Sequence, residues 1–133
     1  MSRSGYQDDC DGWELIMYRG AVASAIRGKR GQQFLRDLVT ALDAMPSKRL
    51  IEGKLEKEGE VCALGSVGKM RGISLPGFDL YDEQGDEMAK LFGIAPALAR
   101  EVMFENDNDF CVPESPDERW QRVRAWAVQN IKL

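Results

Sequence analysis

Histidine is absent from this chain. That removes Ser-His-Asp triads, Cys-His dyads and histidine-ligated zinc or haem, together with any imidazole-based pH switch. Cysteine is scarce. Cys10, Cys62 and Cys111 are odd in number, widely spaced and without a C-x-x-C pair, too little for a disulfide framework or a zinc ribbon. Free thiols in a reducing cytoplasm are the expectation. Long apolar runs are missing, so no segment reads as membrane-spanning. The opening residues, Met1 to Tyr6, hold no apolar core of a secretory signal, which again points to the cytoplasm.

What is present is an ordinary globular mix of 133 residues, 44% hydrophobic and 30% charged. It suits a single domain over residues 1–133, with 1–10 expected as a flexible N-terminal segment. The net charge of −4 hides an asymmetry. Residues 1–54 carry nine basic and seven acidic side chains, residues 55–133 nine and fifteen. A globally basic nucleic-acid binder is disfavoured, and a local basic patch in the first half is not.

The hydrophobic spacing predicts an all-α domain of five to six helices beginning with a helical hairpin. Asp11 is placed to cap a first helix in which Trp13, Ile16, Met17, Ala21 and Ala25 recur at three and four, so this row is the expected core face. The run Ala21–Ala25 adds a small, closely packable surface. Gly28 ends the helix, and about four residues lead to a second helix from Gln32 to Ala44 with the stripe Phe34, Leu35, Leu38, Val39 and Leu42. Pro46 stops it. Residues 48–60 fit a short helix or a hairpin arm; the short helix with a turn at Gly59 is the favoured reading. A third helix, Val61–Arg71, carries Gly65 and Gly68, each costing about 1 kcal/mol against alanine, which implies a neighbouring helix packed very close. Ile73–Tyr81 reads as a loop around Pro76-Gly77. Helices over Asp82–Phe92 and Ala95–Phe104 follow, separated by Gly93, and then a polar loop, 105–109. The final helix opens with Ser115-Pro116-Asp117-Glu118, serine at N-cap, proline at N1 and glutamate at N3, a capping box.

Three constellations carry candidate chemistry. Arg27, Lys29 and Arg30 stand at the first helix junction with Arg36 a turn and a half beyond. These four are the candidate contact residues for a protein or nucleic-acid partner; against that stands a solvated turn, basic because cations suit helix C-termini. Gln32, Gln33 and Arg36 keep a DNA-reading helix in view. The loop 105–109 invites a calcium reading with Asp107, Asp109 and Glu118 at positions 1, 3 and 12, but Cys111 and Val112 occupy positions 5 and 6, where an oxygen ligand and glycine belong. Asp107, Asp109 or Cys62 would serve a cryptic enzyme, although nothing in their spacing makes two groups converge. No catalytic set, metal set or cofactor is implied. Trp13, Trp120 and Trp126 read as core or interface anchors.

The stretches Ser4–Asp9, Arg19–Gln32, Val61–Gly65 and Gly93–Asp107 resemble a family of small proteins of unknown function encoded in tailed-phage and prophage genomes. The resemblance implies a phage-derived protein at work in a bacterial cytoplasm. Small phage proteins of this kind bind and redirect a host or phage macromolecule, a protein first and a nucleic acid second, in some cases to counter a host defence. The expected protein is therefore a non-enzymatic accessory protein. Homodimerisation stays open, since small-residue faces pack within one chain or across two.

Overall fold

The computed structural model describes residues 2–3, 6–7, 12–75, 85–107 and 113–132, with side chains described from Ile16 onward. Among them are six helices: α1 (Gly12–Arg27), α2 (Lys29–Ala44), α3 (Ala63–Arg71), α4 (Gly85–Phe92), α5 (Pro96–Asp107) and α6 (Pro116–Asn130). Two small antiparallel ladders accompany them. β1 (Ser2–Arg3) pairs with β2 (Tyr6–Gln7), and β3 (Glu56–Lys57) with β4 (Glu60–Val61) in the register Glu56 to Val61 and Lys57 to Glu60. The domain is all-α, as the spacing predicts. Asp11, the side chain of Trp13, the Pro76-Gly77 loop and the start at Asp82 lie outside the described residues, as do Cys10, Asp109 and Cys111.

α2 is central. Its stripe buries Phe34, Leu35, Leu38 and Leu42 completely, and it packs on α1, α3 and α6. α5 takes α1, α3, α4 and α6 around its own apolar row, Leu98, Ala99 and Val102. Phe34 and Phe92 meet edge to face at 6.4 Å, which joins α2 to α4. Arg71 braces the same corner: it pairs with Asp37 at 2.7 Å, donates to the Phe92 carbonyl at 2.9 Å and lies over the Phe34 ring. Trp120 and Trp126 pack half-buried against the core, and the Trp120 indole N–H donates to the Leu42 carbonyl at 3.2 Å.

Residues 48–60 are not helical. Their apolar side chains Leu50 and Leu55 are buried, and the chain turns at Glu58-Gly59, both with positive φ (52° and 85°). Two such residues form the turn that suits tightly paired strands, so the hairpin is the correct reading. The close neighbour of α3 is likewise not uniformly a helix. A methyl group on Gly65 would overlap the Leu55 carbonyl oxygen, and one on Gly68 would meet the Leu75 side chain at 2.5 Å and the Phe92 ring at 3.4 Å. Irregular backbone, rather than a second helix, occupies the space at Gly65. The capping box of α6 forms as expected: Glu118 N–H donates to Ser115 Oγ at 3.1 Å, and Ser115 N–H donates to Glu118 at 2.9 Å.

α5 runs three residues further than the spacing suggests and takes in Glu105, Asn106 and Asp107. The reason is Asn106, 2% exposed. Its carbonyl oxygen accepts from the Ala63 N–H at 2.9 Å, and its amide donates to the Ile51 carbonyl at 2.8 Å and to Asp107 at 3.1 Å. Those bonds supply the first turn of α3 with one of its unpaired N–H partners and outweigh asparagine's modest dislike of helix interiors.

Candidate functional site

The basic stretch 27–32 is not a loop. α1 ends at Arg27 and α2 begins at Lys29, so Gly28 alone connects them. Gly28 is extended (φ −71°, ψ 163°) and serves α2 as an N-cap without a side chain. The sharp passage depends instead on Gly31, where the first turn of α2 lies directly on the Ala25 carbonyl. The expected four-residue connector fails because that contact allows α2 to start a turn early. Lys29 and Arg30 are consequently helical, in a first turn that carries no acidic residue.

Arg27, Lys29 and Arg30 are exposed, as is Arg19 on α1, and none of the four makes an ion pair or side-chain hydrogen bond with a described residue. Six other arginines are neutralised. Arg49, Arg71, Arg100, Arg119, Arg122 and Arg124 each meet a carboxylate within 4 Å. Arg36 is exposed and donates to the Lys132 carbonyl at 3.3 Å. Of the three candidate DNA-reading side chains, Gln33 and Arg36 are exposed and Gln32 is withdrawn. Gln32, 7% exposed, faces inward, donates to the carbonyls of Ile26 (2.8 Å) and Asn130 (3.0 Å) and accepts from the Lys132 N–H (2.8 Å), while Gln33 is engaged with Asp37.

The outer face of α1 departs most from expectation. Ile16 is 63% exposed and Met17 57% exposed, with Ala21 open as well; the residues turned inward are Val22, which is buried, and Ala25 and Ile26, which pack partly against the core. Both sides of α1 are apolar, so periodicity did not distinguish them; packing on α5 and α2 did. An apolar strip on a helix whose end carries cations without a partner among the described residues is the composition of a contact surface. Arg19 is the residue that sequence reasoning missed. It lies two helical rows before Arg27, with Ala23 between them, a spacing that places all three along one side.

The other charged cluster is self-contained. Glu114 holds Arg122 through two bonds of 2.7 and 3.1 Å and approaches Arg119 at 3.6 Å. Arg119, itself buried, donates to the Leu50 carbonyl at 2.9 Å, while its Nε has no hydrogen bond. Burial raises the Glu105 carboxyl above its usual value against the opposing pull of Arg122. These groups tie α5, α6 and the segment before β3 together.

Two of the candidate catalytic groups, Cys62 and Asp107, are engaged structurally. Cys62 is the N-cap of α3, where its sulfur accepts from the Gly65 N–H at 3.4 Å, and burial pushes its thiol up to about 12. Asp107 accepts from the Gly53 N–H at 3.4 Å and from Asn106, and Glu118 is held by Ser115, whose bonds keep its carboxyl below the usual value. Among the described residues no three acidic or sulfur ligands converge to hold a metal, and no helix is long and apolar enough to cross a membrane. At pH 8 a thiol of this kind is ionised in only about one molecule in 10⁴. Iodoacetamide is therefore expected to leave Cys62 unmodified in native protein and to label it in guanidinium, as read by site-resolved mass spectrometry. Rapid native labelling would contradict its sealed position.

No family model, curated protein or solved structure matches the chain.

Proposed function

We propose that this protein is a non-enzymatic binding protein that docks a macromolecular partner, a protein, through the outer face of α1 and its basic end. The observation that carries the reading is the exposed apolar face Ile16, Met17 and Ala21 of α1, at whose C-terminal end Arg27, Lys29 and Arg30 stand exposed and unpaired with any described residue. Apolar side chains flanked by arginine are what a protein interface selects, whereas a nucleic-acid face is more uniformly polar and positive. The engagement of Cys62, Asp107 and Glu118 in helix caps and backbone hydrogen bonds supports binding over catalysis. The likeness to phage-encoded proteins supplies the setting: a bacterial cytoplasm, and a host or phage protein redirected by the contact, with inhibition of a host defence as one such outcome.

The test uses photo-crosslinkers placed at Met17 and, as a control on another helix, at Met70, in bacterial lysate. A discrete adduct is expected from Met17 and not from Met70. Met17→Asp and Arg27→Glu are expected to weaken capture at least tenfold, about 1.4 kcal/mol or more, with the melting temperature unchanged. Equal crosslinking from both positions, or capture indifferent to both substitutions, would refute the assignment. Retention on DNA that falls with salt at a slope of about 0.9 per phosphate would favour the nucleic-acid reading instead.

A further inference from the structure

A groove of about 490 Å³ lies between α1 and the tail that follows α6. Its described lining carries Arg19, Arg27 and Lys132 against a single carboxylate, Glu101. Val22, Ile26 and Ile131 supply apolar lining between the cations. On a chain of net charge −4 this local excess of positive charge marks the class of ligand by complementarity. The tail wall is held by three hydrogen bonds. Gln32 holds the Lys132 N–H and the Asn130 carbonyl, and Arg36 holds the Lys132 carbonyl. A wall fixed in advance lowers the ordering cost of binding.

Geometry narrows the ligand further. Arg19 and Arg27 are eight residues apart on α1, a rise of about 12 Å at 1.5 Å per residue. An extended peptide covers about 13 Å in four residues, and its side chains at i, i+2 and i+4 face the same way. Two carboxylates at i and i+4 therefore match the two arginines, with the side chain at i+2 directed at the apolar lining between them.

We propose that this groove accepts an extended acidic segment of the partner protein with the pattern acid-x-apolar-x-acid, its carboxylates meeting Arg19 and Arg27 and its central apolar side chain resting against Val22, Ile26 and Ile131. Lys132 adds charge at the rim. The proposal rests on the protein-binding reading above and names the chemistry of the contact.

The probe is the capped pentapeptide Glu-Ser-Leu-Ser-Glu, titrated into ¹⁵N-labelled protein and followed by amide shifts. A short peptide is expected to bind in the millimolar range, with saturable shifts confined to the amides of residues 19–27 and 130–132. The isomer Glu-Glu-Leu-Ser-Ser and the neutral Gln-Ser-Leu-Ser-Gln are expected to bind at least fivefold more weakly, as is the original peptide against Arg19→Ala or Arg27→Ala. Both side chains lack described partners, so both variants should keep the native spectrum. Absence of saturable shifts, shifts centred elsewhere, or equal binding of all three peptides would overturn the groove assignment. If Met17 still captures a protein while the peptide fails, the groove proposal falls and the α1 contact stands; if the peptide binds and Met17 captures nothing, the fault lies with the outer-face reading.

Discussion

Gly31→Ala is expected to destabilise the protein by about 3 kcal/mol or more, a fall in melting temperature of roughly 10 °C or more for a domain of this size. The added methyl would overlap the Ala25 carbonyl oxygen and lie 2.9 Å from its carbon and 3.2 Å from the Ile26 Cα. All three atoms are backbone, so no side-chain rotation relieves the contact, and α1 and α2 must separate at the junction that carries Arg27, Lys29 and Arg30. Partner capture should therefore fall with stability. Gly20→Ala is the matched control: nothing lies within 4 Å of the new methyl, and in mid-helix it should add about 0.5–1 kcal/mol. Thermal unfolding followed by circular dichroism separates the two. A Gly31→Ala protein within about 1 kcal/mol of the parent would show that the helices do not cross this closely.

Asn106→Leu is expected to cost about 3 kcal/mol through a different mechanism. Leucine fills similar space but leaves the buried Ala63 N–H and the half-buried Ile51 carbonyl without the partners they have at 2.9 and 2.8 Å; a buried group so stranded costs about 1–3 kcal/mol. Hydrogen exchange supplies a local reading: the Ala63 amide should lose protection before the interior of α2 does. Gln33→Leu, which removes only an exposed bond to Asp37, should stay within about 0.5 kcal/mol. Unchanged protection at Ala63 would remove Asn106 from its proposed role as the external cap of α3.

Both variants probe features that the linear order of residues conceals. The α6 start was legible because Ser115 and Glu118 find one another within four residues. The α2 stripe was legible because one face is apolar and the other polar, and a helix with such contrast has one way to bury itself. Neither condition holds for α1. Ile16 and Met17 on one side, Val22 and Ile26 on another, are equally apolar, and the side that faces inward is the one that meets α5 and α2. Asn106 was read as part of a polar loop because its partners, Ile51 and Ala63, lie more than forty residues away in sequence. The early start of α2 was missed for a similar reason: a glycine at position 31 signals a turn unless the Ala25 carbonyl is known to occupy the space beside it.

The same division holds for the candidate site. Local order alone dictates that no imidazole chemistry is available, that helices dominate, and that Arg27, Lys29, Arg30 and Arg36 gather in one stretch, because each of these depends on residue type or short spacing. Long-range packing selects which of those cations remain without an acidic partner, brings Arg19 and Lys132 to the same groove, and turns Ile16 and Met17 outward. A charge is neutralised, or an apolar side chain covered, by whatever the rest of the chain places against it, and those neighbours come from helices far apart in sequence.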